Sequence, residues 1–203
     1  MTTYGTMQAR IADEITRSDL STQIQAAIQS AILHYGKEPF YFNEQQATAP
    51  TVASQEYYDM PSDIVEMQTL SILVNNSKYP LIHRPFEYIE AVSITTNTPS
   101  QPTDYTVFRQ KFRLYPIPGA VYTLYLAYIR TLPVLGVAAD TNAWMVTAEE
   151  MIRGRAKWDL HNNLTKNAIE AEKAKSLETT AYRQLLNQST GLILSNRVTP
   201  TSF

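Results

Sequence analysis

The spacing of apolar residues changes twice along this chain, and that change limits the possible architecture more than any motif does. Across residues 146–188 the spacing is helical. Ile152, Ala156, Leu160 and Leu164 form one narrow stripe, and Ala174, Leu177, Ala181 and Leu185 form a second. A polar break at Asn162-Asn163 and Thr165-Lys166-Asn167 separates the two helices. Each buries a single stripe, so each needs the other or a third helix as partner. The first is expected to open on a capping box, with Thr147 accepting from the backbone and Glu150 reaching back, stapled by Val146 and Met151.

The other end of the chain has the same spacing. Met7, Ile11 and Ile15 predict a short helix over residues 6–16, ended by Arg17-Ser18-Asp19. A second helix follows, capped by Asp19 or Ser21, with Ile24, Ile28, Ala31, Ile32 and Tyr35 on one face. Gly36 is placed to end it in the left-handed conformation.

From Phe40 the period becomes two. Phe40-Tyr41-Phe42, Thr51-Val52, Glu56-Tyr57-Tyr58 and Val65–Val74 read as short β-rich segments, and Asn75-Asn76 as a hairpin turn into Lys78-Tyr79-Pro80-Leu81. Pro85–Ala91 predicts one or two helical turns. Residues 105–109 and 111–115 should pair about Gln110, and Val121–Ile129 should run back as a central strand. Thr95–Asp104 is a polar loop without core residues, a candidate contact loop.

Helices, then sheet, then helices predict an α+β fold: an antiparallel helical bundle drawn from both chain ends, with an inserted antiparallel β domain. The expected parts are a helical hairpin over 1–39, the β domain over 40–139, helices over 140–189 and an extended docking tail over 190–203.

Chemistry is scarce. The 203 residues contain no cysteine, which excludes disulfides and thiolate metal sites. His34, His83 and His161 stand far apart with no carboxylate at ligand spacing, so no metal site is expected. No nucleophile elbow or phosphate-binding glycine loop occurs, so neither a catalytic residue nor a cofactor is expected. A hydrolase using Glu149 or Glu150 has little behind it. No apolar run approaches the ~20 residues that span a bilayer, and no signal peptide is evident. The net charge of −2 attracts no nucleic acid in bulk. Arg109, Lys111 and Arg113 alternate beside Phe108 and Phe112, which suits a solvated strand face better than a nucleic-acid surface.

Three features suit interfaces. The 13 tyrosines fit either wet contact surfaces or simply strands. Arg153, Arg155 and Lys157 surround Trp158 beside Gly154, which suits a subunit interface or, alternatively, bundle packing with snorkelling stems. Leu192-Ile193-Leu194, Arg197 and the terminal Phe203 favour a docking segment over a frayed tail.

The order of several runs resembles a family. Ala12–Leu20 followed by the Gln/Ala/Ile-rich helix into Phe40–Glu44 is similar to the head-to-tail adaptor (connector) proteins of short-tailed phages. So are Gln55–Pro61, Phe112–Pro118 and Asp140–Trp144 leading into Ala148–Leu160. Beyond about Thr165 the likeness loosens, although Arg197-x-x-Pro200 with a final Phe203 fits it. The resemblance implies a structural, non-enzymatic ring component of the virion, a dodecamer beneath the portal at the head–tail junction, assembled in the host cytoplasm. Its partners would be further copies of itself, the portal, and tail nozzle or fibre proteins, with no membrane. DNA would pass through the channel without specific binding. Arg153, Arg155, Lys157 and Trp158 would serve ring or portal contacts, and the tail from Leu192 to Phe203 would reach the portal or a neighbour. Thr95, Asn97, Thr98 and Gln101 are expected to face the tail proteins. The alternative is a monomeric tail or baseplate module that binds host glycans through the Tyr-rich sheet.

Overall fold

The computed structural model describes residues 1–95 and 98–195, with side chains through residue 191. It is mixed α+β and divides into two compact units: Met1–Asn43 together with the chain from Thr131 onward, and Glu44–Arg130.

The first unit contains α1 (Tyr4–Glu14), α2 (Ser21–Tyr35), the short α4 (Ala143–Val146), α5 (Glu149–Asp159) and α6 (Ala168–Ser195). A π-helical turn over Leu160–Thr165 extends α5. One core joins Met7 and Ile11 of α1, Ile24 and Ile28 of α2, Met151 and Ile152 of α5, and Leu185 of α6. Phe40 is fully buried at its centre, stacked on Phe42 at 5.3 Å and edge-on to Trp144 at 5.9 Å. The aromatic triplet Phe40–Phe42 is therefore a turn that belongs to the helical core, not the first strand of the sheet. Three bulky rings in a row satisfy strand propensity and core packing equally well, and packing decides.

Helix ends differ from expectation in several places. Thr147 is the C-cap of α4 in a helical conformation, so it cannot present the extended backbone an N-cap needs. Ala148 caps α5 without a side-chain bond, and Val146 is exposed and staples nothing. Asn142 does the capping instead, its Oδ1 accepting from Trp144 N–H at 3.0 Å. Leu20 precedes α2 without a side-chain cap, because Asp19 is paired with Arg17 at 2.7 Å. Gly36 stays right-handed, with φ −62°. The π turn closes at Lys166, which is left-handed at φ 53°. Its wider winding rotates Leu164 out of the α5 stripe to 45% exposure, while Ile152, Ala156 and Leu160 remain buried.

On α6 the buried stripe is Ala171, Ala174, Glu178, Leu185 and Ser189; Leu177, expected inside, is 58% exposed. The helix continues through Ser195, so residues 190–195 are helical and not extended.

The second unit holds two four-stranded sheets. One has the order β1 (Glu44–Pro50), β8 (Thr123–Arg130), β3 (Ile64–Val74), β4 (Ser77–Pro80). The other has the order β2 (Tyr57–Asp59), β7 (Lys111–Tyr115), β6 (Asp104–Phe108), β5 (Ile82–His83). All pairings are antiparallel except β5 with β6. Leu70, Ile72, Leu124, Leu126 and Tyr128 of the first sheet share a core with Tyr58, Tyr105, Phe112 and Leu114 of the second. β8 is central, as its two apolar faces indicate. Both hairpin turns have positive φ at their two central residues, Asn75-Asn76 and Arg109-Gln110. The helix α3 (Phe86–Thr95) packs Ile89 inward. β1 carries no apolar alternation, and its polar sequence hides it; as an edge strand it needs little.

Removing the central ring tests the reassignment of the triplet. Phe40→Ala should cost ~3–5 kcal/mol in chemical denaturation, as a large core truncation does and an exposed strand position would not.

Candidate functional site

The basic face of α5 splits into two groups because side chains two residues apart on a helix diverge. Arg153 and Lys157, one turn apart, both reach Glu14 of α1, at 3.0 and 2.6 Å. Arg155 turns the other way, towards α6. Its guanidinium lies 4.4 Å from the Trp158 ring centre and 3.6 Å from Glu178.

Glu178 is the centre of this arrangement. It is 1% exposed, and it accepts from the Tyr35 hydroxyl and from Lys175 Nζ at 2.9 Å. Lys175 also stands 5.5 Å from the Trp158 ring, which thus has two cations near it. Gly154 permits the approach. A Cβ there would lie 2.9 Å from Glu178 N and 3.0 Å from its Cα, both backbone atoms. Burial pushes the Tyr35 hydroxyl pKa up, and its bond to the Glu178 carboxylate raises it further. Neither Tyr35 nor Glu178 stands out in sequence as a site residue; the signal is a carboxylate at a stripe position of α6.

The other expected contacts fall out differently. Arg113 is 5% exposed, ion-paired with Glu56 and Glu90, and bonded to Ser93 Oγ at 3.3 Å. Lys111 pairs with Asp59 at 2.8 Å, and Arg109 lies over Phe108 at the hairpin tip. Arg109 and Lys111 are exposed, as on a solvated strand face, and Arg113 alone is covered, where α3 brings Glu90 over the end of the row. Thr95 is the last residue of α3 and, like Thr98 in the loop beyond, exposed, while Gln101 is half-buried. The loop does contribute a buried residue, Pro102, and it is pinned midway: Ser100 N–H donates to Ile117 at 2.8 Å and Gly119 N–H to Ser100 at 2.9 Å. Asn97, Arg197 and Phe203 lie outside the described residues, as do the side chains of Leu192, Ile193 and Leu194 on the last turn of α6.

Glu149 is held by Arg10 and by the Thr2 hydroxyl, so it and Glu150 do not form a carboxylate pair. Among the described residues no group of His, Cys, Asp and Glu could hold a metal ion. Burial lowers the His161 pKa, and its Nδ1 lies 3.1 Å from Thr165 Oγ1. Many tyrosines are structural: Tyr58 Oη bonds to Val52 and Gln55, and Tyr128 Oη to Asp63.

Two outcomes test this geometry. Glu178→Ala leaves the buried Tyr35 hydroxyl without its acceptor and Arg155 and Lys175 without their carboxylate, and should cost ~1–3 kcal/mol in denaturant unfolding. Gly154→Ala should cost ~1–3 kcal/mol by overpacking, while Gly191→Ala, with open space around it, should cost nothing measurable. The pH dependence has a definite sign. Tyr35 has a raised pKa in the folded state, so its contribution is complete below the ordinary tyrosine value of about 10 and is lost as pH rises beyond it. Stability against urea should fall above that pH, and Tyr35→Phe should fall less steeply.

A model of the SU10 adaptor protein family matches residues 2–201. No curated protein matches the chain. Among the described residues no helix is long and apolar enough to cross a membrane. The family is one of structural phage adaptors, not an enzyme class, and membership implies association with portal and tail proteins at the virion head–tail junction. With the match running through both compact units, the chain belongs to the SU10 adaptor protein family.

Proposed function

We propose that this chain is the head-to-tail adaptor subunit of a short-tailed phage, assembling as a ring, a dodecamer, beneath the portal. The ring extends the DNA channel for genome ejection and presents a platform to tail nozzle or fibre proteins. Subunits are made and assembled in the host cytoplasm. The observation that carries this reading is the family match over residues 2–201. Two physical features support it. A net charge of −2 suits a channel that lets DNA pass without gripping phosphate. The helices of both chain ends share one core, in keeping with a bundle drawn from both ends.

In this reading the half-buried Trp158, with Arg155 and Lys175 over its ring, is the part of the α5 cluster left to meet a neighbour or the portal. Arg153 and Lys157 are already committed to Glu14. Thr95, Thr98 and Gln101 face tail proteins, and the chain from Leu192 to Phe203 reaches the portal or the adjoining subunit. Among the described residues Tyr79 and Tyr88 are the exposed tyrosines of the β unit, at 48% each.

Negative-stain microscopy of the chain mixed with the portal protein of the same phage tests the proposal. Portals decorated at one end by a matching ring are expected; bare portals beside free monomers would overturn it. Truncation after Gly191 should abolish decoration while leaving the fold intact by circular dichroism.

A further inference from the structure

Two adjoining hollows lie along the α5–α6 pair and share Glu150, Ala181 and Gln184 in their walls. The one at the start of α5 measures about 340 Å³, and the one beside Gly154 about 130 Å³. The smaller is close to the ~150 Å³ that accommodates one benzene-sized apolar group. Exposed aliphatic side chains stand at their edges: Val146 at 47% and Leu177 at 58%. The wall beside Gly154 is mostly polar, with Arg153 and Lys157 already paired with Glu14, and Leu177 and Ala181 supply its apolar part; a helix can dock in such a groove. Glu150 lines both hollows, is exposed, and has no ion-pair partner among the described residues, whereas Glu149 next to it is engaged by Arg10.

The same unit carries a surface of opposite character. Leu33 of α2 is 78% exposed and points away from Ile24, Ile28 and Ala31, the residues α2 buries. Around it the outward stripe is small, with Thr22, Ala26 and Ser30 all exposed, so Leu33 stands out as a single knob. Lys37, in the turn just past the end of α2, is exposed and unpaired among the described residues.

We infer that α2 of one copy lies in the α5–α6 groove of the next, with Leu33 in the hollow beside Gly154 and Lys37 paired with Glu150. An exposed leucine of a size to enter the hollow, with a free lysine near it to meet the free Glu150, points to a second copy of this chain as the occupant. The contact uses different surfaces on its two sides. It is heterologous, the kind that closes into rings when the rotation permits. Each copy then offers one knob and one groove, so the contact repeats around the ring and many weak unions sum to a stable one. The inference rests on the ring reading above and specifies which surfaces meet.

The absence of native cysteine makes the test clean, because any disulfide reports introduced pairs alone. The chain carrying both L33C and L177C, and a second carrying L33C and T180C, are assembled on portal rings, mildly oxidised and run on a non-reducing gel. A ladder of covalent multimers from at least one of the two is expected. L33C alone should give no dimer, since α2 does not meet α2. Independently, K37E should reduce ring-bearing portals several-fold, and K37E with E150K in one chain should restore them, every interface then having its charges exchanged. Intact rings without a ladder from either pair, dimers from L33C alone, or no rescue by the charge exchange would overturn this contact and leave the adaptor reading standing. Failure of the unmodified chain to decorate portals would instead count against the adaptor reading, and the inference would fall with it.

Discussion

The helical unit depends on the close contact between α5 and α6 at Gly154 and Glu178. A glycine lets the two backbones meet, and the carboxylate placed there by α6 is out of water. A buried charge of this kind is costly unless it is paired and bonded, and here it accepts from Tyr35 and Lys175 and lies beside Arg155. These donors come from α2, α5 and α6, so satisfying one carboxylate positions three helices. Glu14 has a similar part at the opposite face, drawing α1 to α5 through Arg153 and Lys157. The three basic residues that sequence reading sets apart thus each reach a carboxylate of this same unit.

The β unit uses the same device once. Arg113 is buried beneath α3, where Glu56, Glu90 and Ser93 satisfy its guanidinium and the rings of Tyr57 and Phe86 lie near it. Planar, always charged and weakly hydrated, an arginine suits such a site better than a lysine. The rest of the unit is held by side chains meeting between two sheets, and the tyrosines supply much of that area while their hydroxyls find backbone or carboxylate partners.

Among the described residues the two buried charged side chains, Arg113 and Glu178, are each paired within their own unit. What remains on the surface is polar and interrupted by single exposed aliphatic residues such as Leu33 and Leu177, features of a component whose work is contact.

Periodicity alone determined the alternation of helices and strands, the central place of β8, and the turns at Asn75-Asn76 and Arg109-Gln110. Those features arise from local backbone preference and from how one residue's face relates to the next, which a sequence records directly. Family membership was legible for the same reason, in the order of short runs. Tertiary structure decided the rest. It drew Phe40 into the helical core, put Glu178 inside where Leu177 was expected, rotated Leu164 outward through a π turn, and made a strand of the polar Glu44–Pro50. Each of these is a competition between local preference and a distant partner. Burial and pairing with residues seventy or more positions away outweigh a few tenths of a kcal/mol of propensity, and no window of neighbouring residues contains that partner.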